Sequence, residues 1–211
     1  MLLPARRKKI LEVFMADPFH EVHLREVARL AQVSRGNVEL SLRQFVEEGM
    51  FKRRNVSNMT FFRPDLSSER LLKLFEYLEV EKKESFFNSN KKIARLLRQY
   101  AAELLTLSGM NIQMVILFGS VARGDWAKGS DIDVLTVSAE KNEELSSVFG
   151  KARKGISPLL DISPIGTTVN KFIAGLKNKS EFYEELWKDR IVLYNEFLFW
   201  RLVRKRGEVN D

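Results

Sequence analysis

Apolar residues recur at helical spacing through the first fifty positions and then change to a strand-like rhythm. Ile10, Leu11 and Phe14 mark one side of a basic helix that ends near Asp17-Pro18, and Leu24 to Ala31 is a second, short amphipathic helix. A third begins at Ser34, a good N-cap, and repeats Val38, Leu42, Phe45 and Val46 on one face until Gly49 supplies the stop. Met50 to Arg54 and Met59 to Arg63 then flank a polar tip, Asn55-Val56-Ser57-Asn58, which predicts a β-hairpin.

Two further stripes follow, Leu71, Leu74, Phe75 and Leu78, then Ile93, Leu96, Leu97, Tyr100, Ala101 and Leu104. They predict two helices over 67–83 and 91–107 with a break at 86–90, a helical connection in place of a floppy tether. Met114 to Phe118 is a short apolar run rich in β-branched and aromatic residues, so it reads as a buried strand, and Asp131 to Val137 reads as a second. Helices near Thr168 to Leu176 and Glu181 to Asp189, a strand at Arg190 to Tyr194 and an aromatic-rich helix from Phe197 to Arg206 complete the chain. Phe197, Phe199 and Trp200 are read as core packing. The whole is an α+β chain of three parts, residues 1–64, a helical linker 65–108, and 109–211.

Charge refines the division. The net charge is +7, and 12 Lys and Arg face 7 Asp and Glu in residues 1–64, against 15 and 14 in residues 109–211. A basic first part beside a near-neutral last part points the first part at a polyanion. The chain has no cysteine, which leaves nothing that requires an oxidising compartment or a zinc-thiolate site. Apolar runs are short, and the basic N-terminus is followed by no apolar signal core, so the expectation is a cytoplasmic protein without a membrane span.

The chemistry concentrates in one stretch. The first buried strand ends at Gly119-Ser120, where glycine lets the backbone turn sharply and approach a ligand, and the hydroxyl of Ser120 stands where a helix can begin. Arg123-Gly124 and a short loop lead to Ser130-Asp131-Ile132-Asp133. Side chains alternate along a strand, so Asp131 and Asp133 share a face while Ile132 enters the core. Two like charges held close are neutralised most directly by a hard cation such as Mg²⁺. Neither the GxGxxG fingerprint nor the GxxxxGK[ST] P-loop is present to explain the glycines.

Gly119-Ser120 through Asp133 resembles the signature of the DNA polymerase β-like nucleotidyltransferase superfamily, in its minimal branch. The resemblance implies a mixed sheet flanked by helices, with Gly119 and Ser120 holding the triphosphate of an NTP and Asp131 and Asp133 binding two Mg²⁺ ions. It also implies a third carboxylate on a later strand, for which Asp161 in Pro158 to Ser163 is the candidate. Such a site stabilises the attacking and leaving oxygens of an in-line displacement at the α-phosphorus, and Asp161 could also help deprotonate an acceptor hydroxyl. Arg123 is a candidate phosphate clamp, and Ser130 belongs with the nucleotide-binding set.

Residues 5–64 resemble the winged helix-turn-helix of small prokaryotic transcription regulators, most clearly in the turn Ala31-Gln32-Val33-Ser34 and the stretch from Leu42 to Arg54. The resemblance implies duplex DNA as partner, with Ser34, Arg35, Asn37 and Arg43 at the start of a recognition helix and Lys52, Arg53 and Arg54 on a wing. Glu39, Glu47 and Glu48 confine the contact to the N-terminal part of that helix. A homodimer reading two half-sites is expected. Three functions fit: an active nucleotidyltransferase directed or autoregulated by its DNA-binding part, a transcription regulator whose nucleotidyltransferase fold only senses nucleotide, and an antitoxin-like protein that acts on a partner toxin.

Overall fold

The structure, a computed structural model, describes all residues except 1–2, 109–110, 128, 140–144, 155–160, 179 and 208–211. Two compact units divide between Leu78 and Glu79, inside one helix.

The first unit opens with α1 (Ala5–Ala16), β1 (Val22–His23), α2 (Leu24–Ala31) and α3 (Arg35–Glu47), followed by the hairpin strands β2 (Phe51–Val56) and β3 (Met59–Pro64). The three strands form an antiparallel sheet in the order β1-β3-β2. Ile10, Leu11 and Phe14 are fully buried with Val27, Val38 and Leu42, the stripes that the helical spacing predicts. Ser34 occupies the N-cap of α3, although its side chain makes no capping bond. At the other end Gly49 takes φ +69°. Its N–H donates to Val46 O at 3.0 Å and that of Met50 to Phe45 O at 2.8 Å, the paired bonds of a Schellman ending. Phe51 stacks on Phe45 and meets the edge of Phe14, which ties the hairpin to the helices.

The second unit is built on a four-stranded mixed sheet in the order β6-β5-β4-β7, from β4 (Ile112–Phe118), β5 (Ile132–Ser138), β6 (Ile162–Thr168) and β7 (Ile191–Tyr194). β4 runs antiparallel to β5 and β7, while β5 and β6 are parallel. Met114, Val115, Ile116 and Leu117 are all fully buried, as a central strand covered on both faces must be. One face carries α5 (Lys91–Ser108) and α7 (Leu145–Lys154), whose Ile93, Leu97, Tyr100, Leu104, Phe149 and Ala152 join Val115, Leu117, Ile132 and Val134 in a single core. The other carries α8 (Val169–Lys177) and α10 (Glu196–Gly207).

Helix α4 (Glu69–Ser89) is longer than the stripe predicts, and the break before α5 falls at Asn90 alone. Its Glu79, wholly buried, pairs with the buried Arg190 at 2.9 Å. Arg190 also donates to Trp187 O at 2.6 Å and lies 4.0 Å over the Trp187 ring. Phe199 and Trp200 are core residues as expected, but Phe197 is not: it stays 43% exposed, with Arg201 over its ring.

Candidate functional site

The site lies where β4 and β5 meet a short helix, α6 (Gly119–Arg123). Buried β4 carries the chain to Phe118, which pairs in register with Asp133. Gly119 then turns with φ +74°, a conformation that favours glycine. A Cβ built there would collide with the Asp133 Oδ2 atom, so the missing side chain is what lets the carboxylate lie against the turn. Gly124, at φ +86°, ends α6, and the N–H of Asp125 reaches back to Ser120 O at 3.2 Å.

β5 begins at Ile132, fully buried, which leaves Asp131 exposed just ahead of the strand and Asp133 half-buried within it. Burial pushes the Asp133 carboxyl above the usual carboxylate range and the charge of Asp131 pushes it further, with Arg123 opposing them. The parallel pairing of Ile132 with Ile162 and of Asp133 with Ser163 brings Asp161 beside Asp131, and Ile132 N–H donates to Asp161 O at 2.8 Å.

Three sequence candidates have partners that spacing did not disclose. Arg123 donates to Asp125 Oδ2 at 3.1 Å and to Asp189, the last residue of α9 (Glu181–Asp189). Asp161 accepts from Arg153 Nη2 on α7 at 3.1 Å. Ser130 Oγ accepts the Ala127 N–H at 3.0 Å, shaping the loop before Asp131. Among the described residues, no group of three or more His, Cys, Asp or Glu is arranged to hold a metal ion. The pair Asp131 and Asp133 nevertheless suits a hard cation. Its donors are carboxylate oxygens, its charges repel, and one is desolvated against a glycine turn. Asp189 and Arg153 are the residues that sequence reasoning missed: Asp189 lies 66 positions from Arg123, and Arg153 lies 8 from Asp161 on a different element, so neither pairing leaves a periodic trace.

In the first unit, Ser34 at the N-cap of α3 and Arg35, Asn37 and Arg43 on the helix are all exposed, and Lys52, Arg53 and Arg54 are exposed on β2. Most of the cations have acceptors of their own. Arg43 pairs with Glu39 at 2.6 Å, Lys52 with Asp65 at 3.7 Å and Arg54 with Glu21, while Arg53 donates to Asn55 Oδ1 at 3.3 Å. The Glu21 carboxyl is held low chiefly by the hydrogen bonds from Arg54. Arg6 of α1 reaches Asn37 Oδ1 at 3.5 Å, which adds a third element to this surface.

No helix among the described residues is long and apolar enough to cross a membrane. No curated protein matches the chain. A solved protein from Sulfolobus solfataricus, described as a candidate nucleotidyltransferase, shares 22% identity and a TM-score of 0.32 over 55% of this chain and 86% of its own. The family model for the nucleotidyltransferase domain matches residues 97–205, more than half of the 211 positions and the whole of the Gly119 to Asp133 site. The chain belongs to that nucleotidyltransferase domain family.

Proposed function

We propose that this chain is a Mg²⁺-dependent enzyme that moves a nucleotidyl group from an NTP to an acceptor, joined to a winged helix that binds duplex DNA. The observation that carries the reading is the contact between the side-chain-free turn at Gly119 and the desolvated carboxylate of Asp133, with Asp131 one alternation away. In this reading Gly119, Ser120 and Ser130 hold the triphosphate. Asp131 and Asp133 hold the metal, and Asp161 joins them once it exchanges its ion pair with Arg153. Divalent ions held there would supply charge that neutralises the phosphates and stabilises the attacking and leaving oxygens of an in-line displacement at the α-phosphorus, with pyrophosphate as the leaving group. Asp161 takes the proton of the acceptor hydroxyl. Arg123, tied to Asp125 and Asp189, holds α6 to α9 and lends positive charge to Asp133.

The test is transfer of label from an α-labelled NTP to protein and small-molecule acceptors in a lysate, with Asp131→Ala plus Asp133→Ala as the blank. Mg²⁺-dependent NTP binding should collapse in either single mutant, because each removes half of the charge that balances the cation. Equal binding in wild type and both mutants would refute the metal assignment. The Arg153–Asp161 pair favours a second reading, a nucleotide sensor in which the third acid stays neutralised and no transfer occurs. Tight NTP binding with no labelled product in any fraction distinguishes it.

The DNA-binding part of the proposal draws on the exposed cations of α3 and β2 and on the order of three helices followed by a hairpin. The reading is of a homodimer on two half-sites. Mobility shift on a genomic fragment pool, and sedimentation of the protein alone, test the two statements separately.

A further inference from the structure

Trp126 lies in the loop that joins the two halves of the proposed nucleotide site, between α6 and β5, and the residue is 37% exposed. Its neighbours on both sides are tied down. Asp125 donates its N–H to Ser120 O at 3.2 Å and accepts from Arg123 Nε at 3.1 Å. Ala127 donates its N–H to Ser130 Oγ at 3.0 Å and accepts the Ser130 N–H at 3.1 Å. The backbone on either side of Trp126 is therefore tied by hydrogen bonds, while the largest apolar side chain of the loop stays partly exposed. The other two tryptophans behave differently: Trp200 is 1% exposed and Trp187 is half-buried, stacked on Phe199.

We propose that Trp126 is the platform on which the base of the bound nucleoside triphosphate stacks. The inference rests on the nucleotidyltransferase reading of Gly119 to Asp133 and adds the recognition of the base to it. Position argues for a base as the occupant. Trp126 is two residues from Gly124, which ends the phosphate turn, and five from Asp131, so its Cα lies within about 18 Å of the Asp131 Cα even along a fully extended chain. The Ala127–Ser130 turn brings it closer. A nucleoside triphosphate with its phosphates on Gly119, Ser120 and the metal ligands extends its base over that range. Chemistry agrees, since an indole stacks on any base, and most strongly on the larger purines. An aromatic side chain, with few rotatable bonds, also loses little conformational freedom on binding.

The experiment measures binding of Mg²⁺ with α,β-methylene-ATP, with the uridine counterpart, and with inorganic tripolyphosphate by calorimetry, in wild type, Trp126→Phe and Trp126→Ala. Thermal melts serve as the control for folding. The expected result is a loss of about tenfold or more in ATP-analogue affinity for Trp126→Ala, a smaller loss for the uridine analogue, retention in Trp126→Phe, and unchanged tripolyphosphate binding. Tryptophan fluorescence should fall on adding the ATP analogue to wild type and not in Trp126→Phe. Equal ATP-analogue affinity in wild type and Trp126→Ala, with tripolyphosphate still bound, overturns the platform and leaves the phosphate and metal site standing. Failure of wild type to bind either tripolyphosphate or the ATP analogue with Mg²⁺ overturns both.

Discussion

Gly119→Ala is the most searching perturbation of the site, because the structure separates its cost into two parts. Any side chain at φ +74° holds a left-handed conformation, which costs roughly 1–2 kcal/mol for a non-glycine residue. The added Cβ would also strike the Asp133 carboxylate, with Cγ at 3.3 Å and Oδ2 nearer still, and moving that side chain off its rotamer adds about 1 kcal/mol. A total of about 2–3 kcal/mol corresponds to a fall in Tm of about 5–10 °C for a chain of this size. In an Asp133→Ala background the remaining contact is the Asp133 Cβ at 3.5 Å, ordinary van der Waals distance. There Gly119→Ala should cost only the backbone part, roughly 1–2 kcal/mol. A double-mutant cycle in urea unfolding, read by circular dichroism, gives the coupling directly, and about 1 kcal/mol is expected. The same substitution in the otherwise wild-type protein should weaken Mg²⁺-dependent nucleotide binding. An equal penalty in both backgrounds, or unaltered nucleotide affinity, refutes the claim that Gly119 makes room for Asp133.

Truncating Glu79 to Ala should destabilise the second unit by about 3–5 kcal/mol, since it strands the buried Arg190 guanidinium, whereas replacing both partners by apolar residues should cost less than either single change; thermal melts check both. Burial pushes the Asp65 carboxyl up, but the Ser67 hydroxyl and N–H together with Lys52 outweigh it and hold the group below the usual carboxylate range. Its contribution, about 1 kcal/mol, is present above the unfolded-state value and disappears as pH falls through the lower folded one. Asp65→Asn should therefore flatten the acid limb of stability against pH, and an unchanged limb counts against the bonds assigned to it. Replacing Arg53 and Arg54 by Ala should weaken duplex DNA binding and reduce the salt slope by about 1–2, read by titrations between low and moderate salt. Arg53 should carry more of the change, because Arg54 must first leave Glu21.

Much of the architecture was legible in the residues because it depends on local spacing. The stripes at Ile10 to Phe14 and Ile93 to Leu104 specify which helix faces are buried, and β-branched runs specify strands, whatever the partner element proves to be. Phe197 escaped this logic, since its place at the start of α10 differs from that of Phe199 and Trp200 by a rotation that only the neighbouring elements define. The candidate site divides in the same way. Glycine before serine at the end of a buried strand, and two acids separated by one apolar residue, express geometry within a few residues.

What the sequence determined alone was therefore the turn at Gly119, the close spacing of Asp131 and Asp133 in the chain, and the basic character of residues 1–64. Tertiary structure decided which of these groups are already engaged. It drew Arg123 to Asp189 across 66 positions, gave Asp161 a cation in Arg153, closed the Glu79–Arg190 pair across 111 positions, and pressed Asp133 against Gly119 through the pairing of β4 with β5. The reason is physical. Periodicity in a chain records which side of an element is apolar, but the free energy of a charge depends on its distance to other charges and to water, and those distances exist only after the sheet has formed.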